Sequence, residues 1–482
     1  MSNYKLHDNY DIIIIGGGSA GCGAAYALRE TCLKDNLKVL LIDQYPLLGG
    51  TSTNAWVNCF AATPDAPYME PVFQYLLKNN EAKYVDENYQ DIEHLNNYNN
   101  TLLHKNYTKD NIELSICVSP IALSNKYESD LKQSNIQIVK ECKFINVSNV
   151  ENGYVKEIII RIGTKDYNIK SKIFIDSSGN DVLFRSALDP ASEGIDYYIG
   201  RDSNDRYQQS HGFHEKSAGS DNQSEDLNLP TLMYRITKGK ENLPIEPLFG
   251  EDAVLYSSPD NKYIYVNSIS LLSDKNSGIL IIKNGENYVK KMISPRIIYH
   301  WKQIKISQKE KLQKWNLQNK KYDNTASMLG IRETYRANCE RILNENSLTI
   351  PFYNYKKETD NLNRIIAIGN HPVDIHTTQG IKPSIKVIPY GVPYGCLIPK
   401  KLKNVLIASR GAGFTHLAAA SFRLNKDMGQ IGWAAGKAAL QYLHENLNDF
   451  RTINVETLWE KMDFHKTINK ISILLNNEYC KK

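Results

Sequence analysis

Near the start of the chain, Gly16-x-Gly18-x-x-Gly21 stands between an apolar run and a helix-forming one, and nothing else in the sequence limits the fold so tightly. Residues 11–15 (DIIII) predict a buried strand, too short for a helix and ended by glycine. Residues 24–30 (AAYALRE) predict a helix, and residues 38–42 (KVLLI) a second buried strand closed by Asp43. Together they make one βαβ unit. In such a unit Gly16 permits the tight turn, Gly18 lets the backbone approach a pyrophosphate, and Gly21 lets helix and strand pack closely. The helix start at Ser19 and Ala20 supplies free N–H groups and the positive end of a dipole. Asp43 follows Gly21 by 22 residues, where an acid can hold a ribose hydroxyl pair, with Gln44 beside it. The unit predicts a bound dinucleotide.

The turn alone does not separate a nicotinamide from a flavin dinucleotide. Gly49-Gly50-Thr51-Ser52-Thr53 follows the acid within ten residues. A second glycine turn there suits a flavin, whose ribityl chain and pyrophosphate need another backbone approach. Gly50, Thr51 and Thr53 are therefore cofactor candidates.

Composition narrows the class. The 482 residues suggest two to four domain-sized units. With 41% apolar and 23% charged residues, the chain is neither disordered nor fibrous. No apolar run approaches the roughly 18 residues of a membrane span, and a net charge of +5 calls for neither a nucleic acid nor a membrane. The eight cysteines include no CxxC pair, so the expectation is a cytoplasmic chain with reduced thiols and no metal centre.

Further along, strands are expected at 114–118, 135–139, 144–147, 154–161 and 172–175, and a helix at 121–131. Residues 75–111 look like an insertion of loops and short elements, and 201–226 like a polar loop. Residues 231–236 and 262–272 are strand-like, 302–321 read as a basic, solvated helix, and strands return at 364–368 and 404–408. A helix of small residues is expected over 432–443.

Several ordered segments carry a family resemblance. They are Leu48-Gly49-Gly50-Thr51-Ser52-Thr53 with Val57-Asn58, then Ile175-Asp176-Ser177-Ser178-Gly179-Asn180, then Leu329-Gly330-Ile331-Arg332-Glu333-Thr334 with Arg336. Asp374-Ile375-His376, the run from Val392 to Pro399, and Asn404 to Arg410 follow, with Thr415-His416, Arg423 and Gly432 to Gly436 beyond. In these the chain resembles the FAD-dependent oxidoreductases of the glutathione-reductase-like (GR2-type) superfamily. Four positions depart from the family pattern: Ser409, Tyr335, Gly413 and Trp433.

The resemblance implies an α/β fold with a Rossmann-like FAD-binding domain built from discontinuous segments, about 8–75, 112–200 and 385–445. It implies an α+β substrate or cap domain with a mixed or antiparallel sheet over 201–384, an insertion at 76–111 and a helical tail at 446–482. Ser178, Gly179 and Asn180 would form a second FAD contact. Arg410 and Arg423 would hold phosphate or flavin oxygens, or serve as structural ion pairs. Gly432, Trp433 and Ala434 are expected to open the last helix against the flavin, where its dipole would favour negative charge at the N1–C2=O edge. Arg332 and Arg336 are expected on one helix face at i, i+4. Arg332 and His376 are the catalytic candidates, a fixed cation and a proton acceptor. His416 is a further titratable candidate, and for each of these a structural role is the alternative. His211 and His214 have no companions that would complete a metal site.

The function expected is hydride transfer between a small organic metabolite and non-covalently bound FAD, with NAD(P)H, a quinone or oxygen closing the cycle. One alternative is an FAD-dependent monooxygenase using NAD(P)H and oxygen. Its Gly-x-x-Ser-x-x-Arg spacing is echoed from Gly179 to Arg185, with Val182 in the serine position. The other is a flavin-bound, non-catalytic or RNA-associated protein, supported only by the basic 302–321 segment.

Overall fold

Ile12 to Ile15 are buried on both faces of a strand, which is what a parallel sheet covered by helices requires. The computed structural model describes residues 5–61, 64–85, 115–189, 191, 196–200, 227–237, 254–260, 262–268, 276–307, 309–314, 317–376 and 385–468. The expected loop at 201–226, with His211 and His214, lies outside the described residues, as do Cys480, the end of the tail and most of the 75–111 insertion.

β1 (Asn9–Ile15), α1 (Ser19–Asp35) and β2 (Val39–Ile42) form the expected unit. β1 pairs in parallel with β2, setting Ile15 opposite Ile42, and on its other side with Lys165–Asp176, setting Ile15 opposite Asp176. Gln137–Val139 extends the sheet beyond β2. Val405–Ile407 joins in parallel along the last residues of Lys165–Asp176. The antiparallel arms Cys142–Glu151 and Tyr154–Ile162 complete seven strands. The carboxyl ends of strands from the start, middle and far part of the chain thus meet at one edge, where open α/β sheets bind ligands.

A second core belongs to the middle of the chain. Val254–Ser257, Tyr263–Asn267, Tyr234–Thr237 and Tyr322–Thr325 form a four-stranded antiparallel sheet. Leu232, Tyr234, Ile264 and Val266 pack with Ile293, Ile297, Trp301 and Ile304. The basic helix expected over 302–321 is displaced. Helices run Arg296–Ser307 and Lys309–Lys314, and Tyr322–Thr325 is a strand. Ile297, Trp301 and Ile304 supply the buried face upstream, and residues 318–321 have no apolar face to bury.

Three other expectations are corrected. Residues 331–334 are not helical, and Tyr335–Ala337 is a strand paired with Tyr197–Ile199, so Arg332 and Arg336 share no helix face. The small-residue helix runs Asn425–His444, so Gly432 lies in its middle. Asp427 accepts from the Leu424 N–H and starts the helix earlier. Cβ atoms at Gly432 and Gly436 would come within 2.0 and 2.5 Å of the carbonyls of Ala20 and Ala24, so these glycines serve close packing on α1. Finally, Cys59 and Cys117 are not free thiols. They sit opposite one another on antiparallel strands, Cα atoms 4.0 Å apart, and form a disulfide. Their separation of 58 residues hid the pairing. Cys22, Cys32, Cys142, Cys339 and Cys396 are free and buried.

No helix among the described residues is long and apolar enough to cross a membrane.

Candidate functional site

The glycine turn closes onto two other loops. Gly16 has φ +101°, and a Cβ there would meet the Ser177 carbonyl at 2.4 Å. A Cβ at Gly21 would meet the Gly16 carbonyl at 1.8 Å, the helix–strand contact expected of the third glycine. The Gly49 N–H donates to the Gly17 carbonyl at 2.7 Å. Gly18 differs: a Cβ there would find only the Gly50 Cα, at 3.8 Å. The backbone at Gly18 therefore faces open space.

That space is a cleft at the sheet's carboxyl edge. Gly16, Gly18, Ser19, Ala20, Asp43, Gln44, Gly50, Thr51, Ser178, Gly179, Asn180, Arg410 and Arg423 all line it. Gly21 and Thr53 are not in its wall. Gly21 packs beneath the turn, and the buried Thr53 braces it through its hydroxyl on the Gly50 carbonyl, 3.3 Å. Gly432, Trp433 and Ala434 do not line it either. Trp433 stacks on Tyr68 and donates to the Met462 carbonyl. Asn425 and Met428, at the true start of that helix, take their place in the wall. Asn425 accepts from the Thr51 and Ser19 hydroxyls at 3.0 and 3.2 Å.

Asp43 is buried and accepts from the Gly17 and Tyr45 N–H groups at 2.5 and 2.7 Å. Burial raises its carboxyl to about 6 despite those bonds. Each oxygen keeps a further lone pair for a hydroxyl donor. Gly179 has φ +75° and lies against the Arg410 guanidinium, and its carbonyl accepts from the Thr334 hydroxyl at 2.8 Å. Ser409, one of the four departures, accepts from the Gly411 N–H and donates to Asp181 at 2.6 Å. Burial lowers Arg410 to about 10, with Asp181 and Glu286 opposing.

The sequence reading missed the wall contributed by the middle of the chain. Glu286, Met328 and Ile331 line the cleft. Glu286 accepts from the Tyr45 hydroxyl across it and from the Leu329 N–H at 2.6 Å. A carboxylate starting a surface helix carries no motif, so only its partners reveal it.

Behind the cleft runs a polar chain, half-buried at Asp374 and His376 and buried at Glu333 and His416. Arg423 donates to the Asp374 carboxylate at 2.9 Å, and His376 Nε2 lies 2.8 Å from the same oxygen. The His376 N–H donates to Asn228 at 2.8 Å, and Asn228 donates through its side chain and backbone to Glu333 at 3.1 and 3.0 Å. His416 Nδ1 lies 2.9 Å from both Glu333 oxygens, and Arg336 pairs with Glu333 at 3.5 Å. Arg332 donates to the Leu229 carbonyl and the Thr231 hydroxyl, both at 2.7 Å. Burial first, then Arg423, lowers Arg332 to about 9. His376 is pushed down by burial and by the two arginines, with Asp374 opposing. Asp374 is held well below the usual carboxylate range, its burial outweighed by His376 and Arg423. The structure thus joins His376 to the cleft through Arg423, whereas His416 belongs to a deeper ionic cluster.

A family model for FAD dependent oxidoreductases matches residues 11–462. The chain belongs to that family. The cofactor of this FAD dependent oxidoreductase is FAD, and its cleft fits the group on its own evidence. The Ser177 hydroxyl and the Nε groups of Arg410 and Arg423 are buried without a hydrogen-bond partner among the described residues, and all three residues line the cleft beside the open backbone at Gly18. No curated protein matches the chain in sequence. Among solved structures it is similar to a flavoprotein/dehydrogenase from Cytophaga hutchinsonii, at 11% identity and TM-score 0.43 over 94% of this chain and 84% of that one. It is also similar to an L-amino acid deaminase from Proteus myxofaciens, at 10% identity and TM-score 0.42 over 95% and 94%. A geranylgeranyl bacteriochlorophyll reductase-like protein from Thermoplasma acidophilum gives 11% and 0.40 over 98% and 86%.

Proposed function

We propose that this FAD dependent oxidoreductase oxidises a small organic metabolite by hydride transfer, at the place where the Met328 to Ile331 wall meets Arg423. In this reading residues 8–75, 112–200 and 385–445 hold the cofactor, and 201–384 cap the substrate. A quinone or oxygen serves as the second redox partner, taking the electrons on from the flavin. The observation that carries it is the hydrogen-bonded path from Arg423 in the cleft wall through Asp374 to His376.

When bound, FAD supplies the two-electron acceptor. The chain supplies the rest. Gly18, Ser19 and Ala20 would present backbone to the pyrophosphate, and Asp43 would take ribose hydroxyls. Arg332 is a fixed cation beside the path, which favours an anionic or polar substrate. His376, kept neutral by burial and the neighbouring arginines, accepts the substrate proton.

Anaerobic mixing of the holoenzyme with metabolite panels, read as bleaching of the flavin, identifies the substrate. With that substrate, His376→Gln is expected to retain FAD and to slow flavin reduction by roughly 10²–10⁴, and Arg332→Ala to slow it as well. Wild-type reduction rates in both variants would place the chemistry elsewhere.

A further inference from the structure

We infer that Asp374 is a positioning residue for His376, fixing its proton on Nε2 so that Nδ1 is the basic nitrogen. The inference rests on the reading of His376 as the proton acceptor and adds a residue and an atom to it. One oxygen of Asp374 serves two donors, His376 Nε2 at 2.8 Å and Arg423 Nη2 at 2.9 Å. An ionised carboxylate only accepts, so the imidazole nitrogen facing it must carry the hydrogen. The remaining nitrogen then holds the lone pair, the tautomer logic that governs any imidazole base.

The surroundings lock this arrangement. The Asp374 carbonyl also accepts from Arg423, at 3.0 Å, so the arginine grips both ends of the residue. The His376 backbone is held on both sides by the 228–229 segment: its N–H donates to Asn228, and its carbonyl accepts from the Leu229 N–H, both at 2.8 Å. The backbone that carries the imidazole is therefore fixed beside Asp374. The charged and titratable groups facing His376 are Asp374, Arg332, Arg423 and His371. Two arginines against one carboxylate would make a protonated imidazole costly without Asp374. When Nδ1 takes the O–H or N–H proton of the substrate, the imidazolium that forms lies directly on the carboxylate. Asp374 thus sets the orientation before the proton moves and offsets the new charge afterwards.

The sequence alone offered no route to this assignment. An acid two residues before a histidine is an ordinary spacing, and only the loop that turns the His376 ring back onto Asp374 makes them a pair.

The test uses the FAD-loaded full chain with nitrogen-15-labelled histidine, the His376 signals being identified by their loss in His376→Gln. In mildly alkaline solution wild type should show the Nε2–H tautomer, and Asp374→Ala a mixture of tautomers. An Nδ1–H tautomer in wild type, or a spectrum unchanged in Asp374→Ala, overturns the inference. A second variant guards against a local collapse. Asp374→Asn should keep its FAD, slow anaerobic flavin reduction at least about tenfold, and move the rising limb of the pH–rate profile to lower pH. That direction follows from removing the one anion that raises the His376 pKa. A limb that stays in place would make Asp374 merely structural. Should His376→Gln reduce its flavin at the wild-type rate, the proton-acceptor reading fails, while the tautomer spectrum still decides the positioning.

Discussion

Gly18→Val should purify as a folded protein without FAD. Gly18 has φ −71°, which a branched residue accepts, and only the Gly50 Cα lies within 4 Å of a Cβ there, at 3.8 Å. The side chain therefore disturbs little of the protein, and fills the space in which, on the proposed reading, backbone N–H groups would meet the pyrophosphate. Bonds of this type to a charged group contribute about 1.5–3 kcal/mol each, so losing two of them weakens FAD at least about a hundredfold. Flavin absorbance per mole of purified protein is the measurement, with far-ultraviolet circular dichroism as the control. Gly21→Val makes the contrast: its Cβ would fall 1.8 Å from the Gly16 carbonyl, so that variant should fail in folding rather than only in binding. A Gly18→Val protein carrying full FAD would show that the pyrophosphate does not sit on this turn.

The legible parts of this protein were those whose physics is local. A strand, a glycine turn, a helix, a second strand and an acid occupy residues 11–43, and each imposes its own composition. Asp43 could therefore be placed at a dinucleotide site before any contact was known; Gly50 followed from the second glycine turn, and Gly179 from the family resemblance. Gly432 and Trp433 were misplaced because small residues have two uses. They let a helix end approach a flat ring, or they let two helices approach each other, and composition does not distinguish these. The close approach of Gly432 to Ala20 decides for the second. The 331–336 segment failed for a related reason. Arginines at i, i+4 suit a helix, but Ile331, Thr334 and Tyr335 favour extended backbone, and pairing with Tyr197–Ile199 settles it. Glu286 and the Cys59–Cys117 pair were out of reach because each is defined by a partner that no motif records, and the Asp374-Ile375-His376 segment named an acid and a histidine without showing that they pair.

The largest effect on stability is expected at Glu333, which lies far from either glycine turn in sequence and joins Asn228 to His416 and Arg336. Its side chain is 2% exposed and is surrounded by His416, Arg336 and Asn228. Burial alone would raise its carboxyl, but His416 and Arg336 outweigh that and hold it at about 2, against an ordinary 4.5. A folded-state pKa below the unfolded one stabilises the protein fully above the unfolded value. That contribution is lost as the pH falls from about 4.5 towards 2. The difference corresponds to about 3 kcal/mol at neutral pH. Breaking a buried pair from one side costs a similar about 3–5 kcal/mol, because the remaining charge is stranded. Glu333→Gln keeps the shape and removes the charge, leaving Arg336 buried beside a neutral amide. Urea unfolding across a pH series should therefore show a lower midpoint for Glu333→Gln near neutrality and a flatter acid limb than wild type. Because Asn228 links Glu333 to the His376 backbone, the same variant should also disturb His376 and, if that residue is the proposed proton acceptor, slow flavin reduction without a change at the FAD cleft itself. A variant as stable as wild type, with the same acid limb, would mean that the Glu333 cluster contributes little to the folded state.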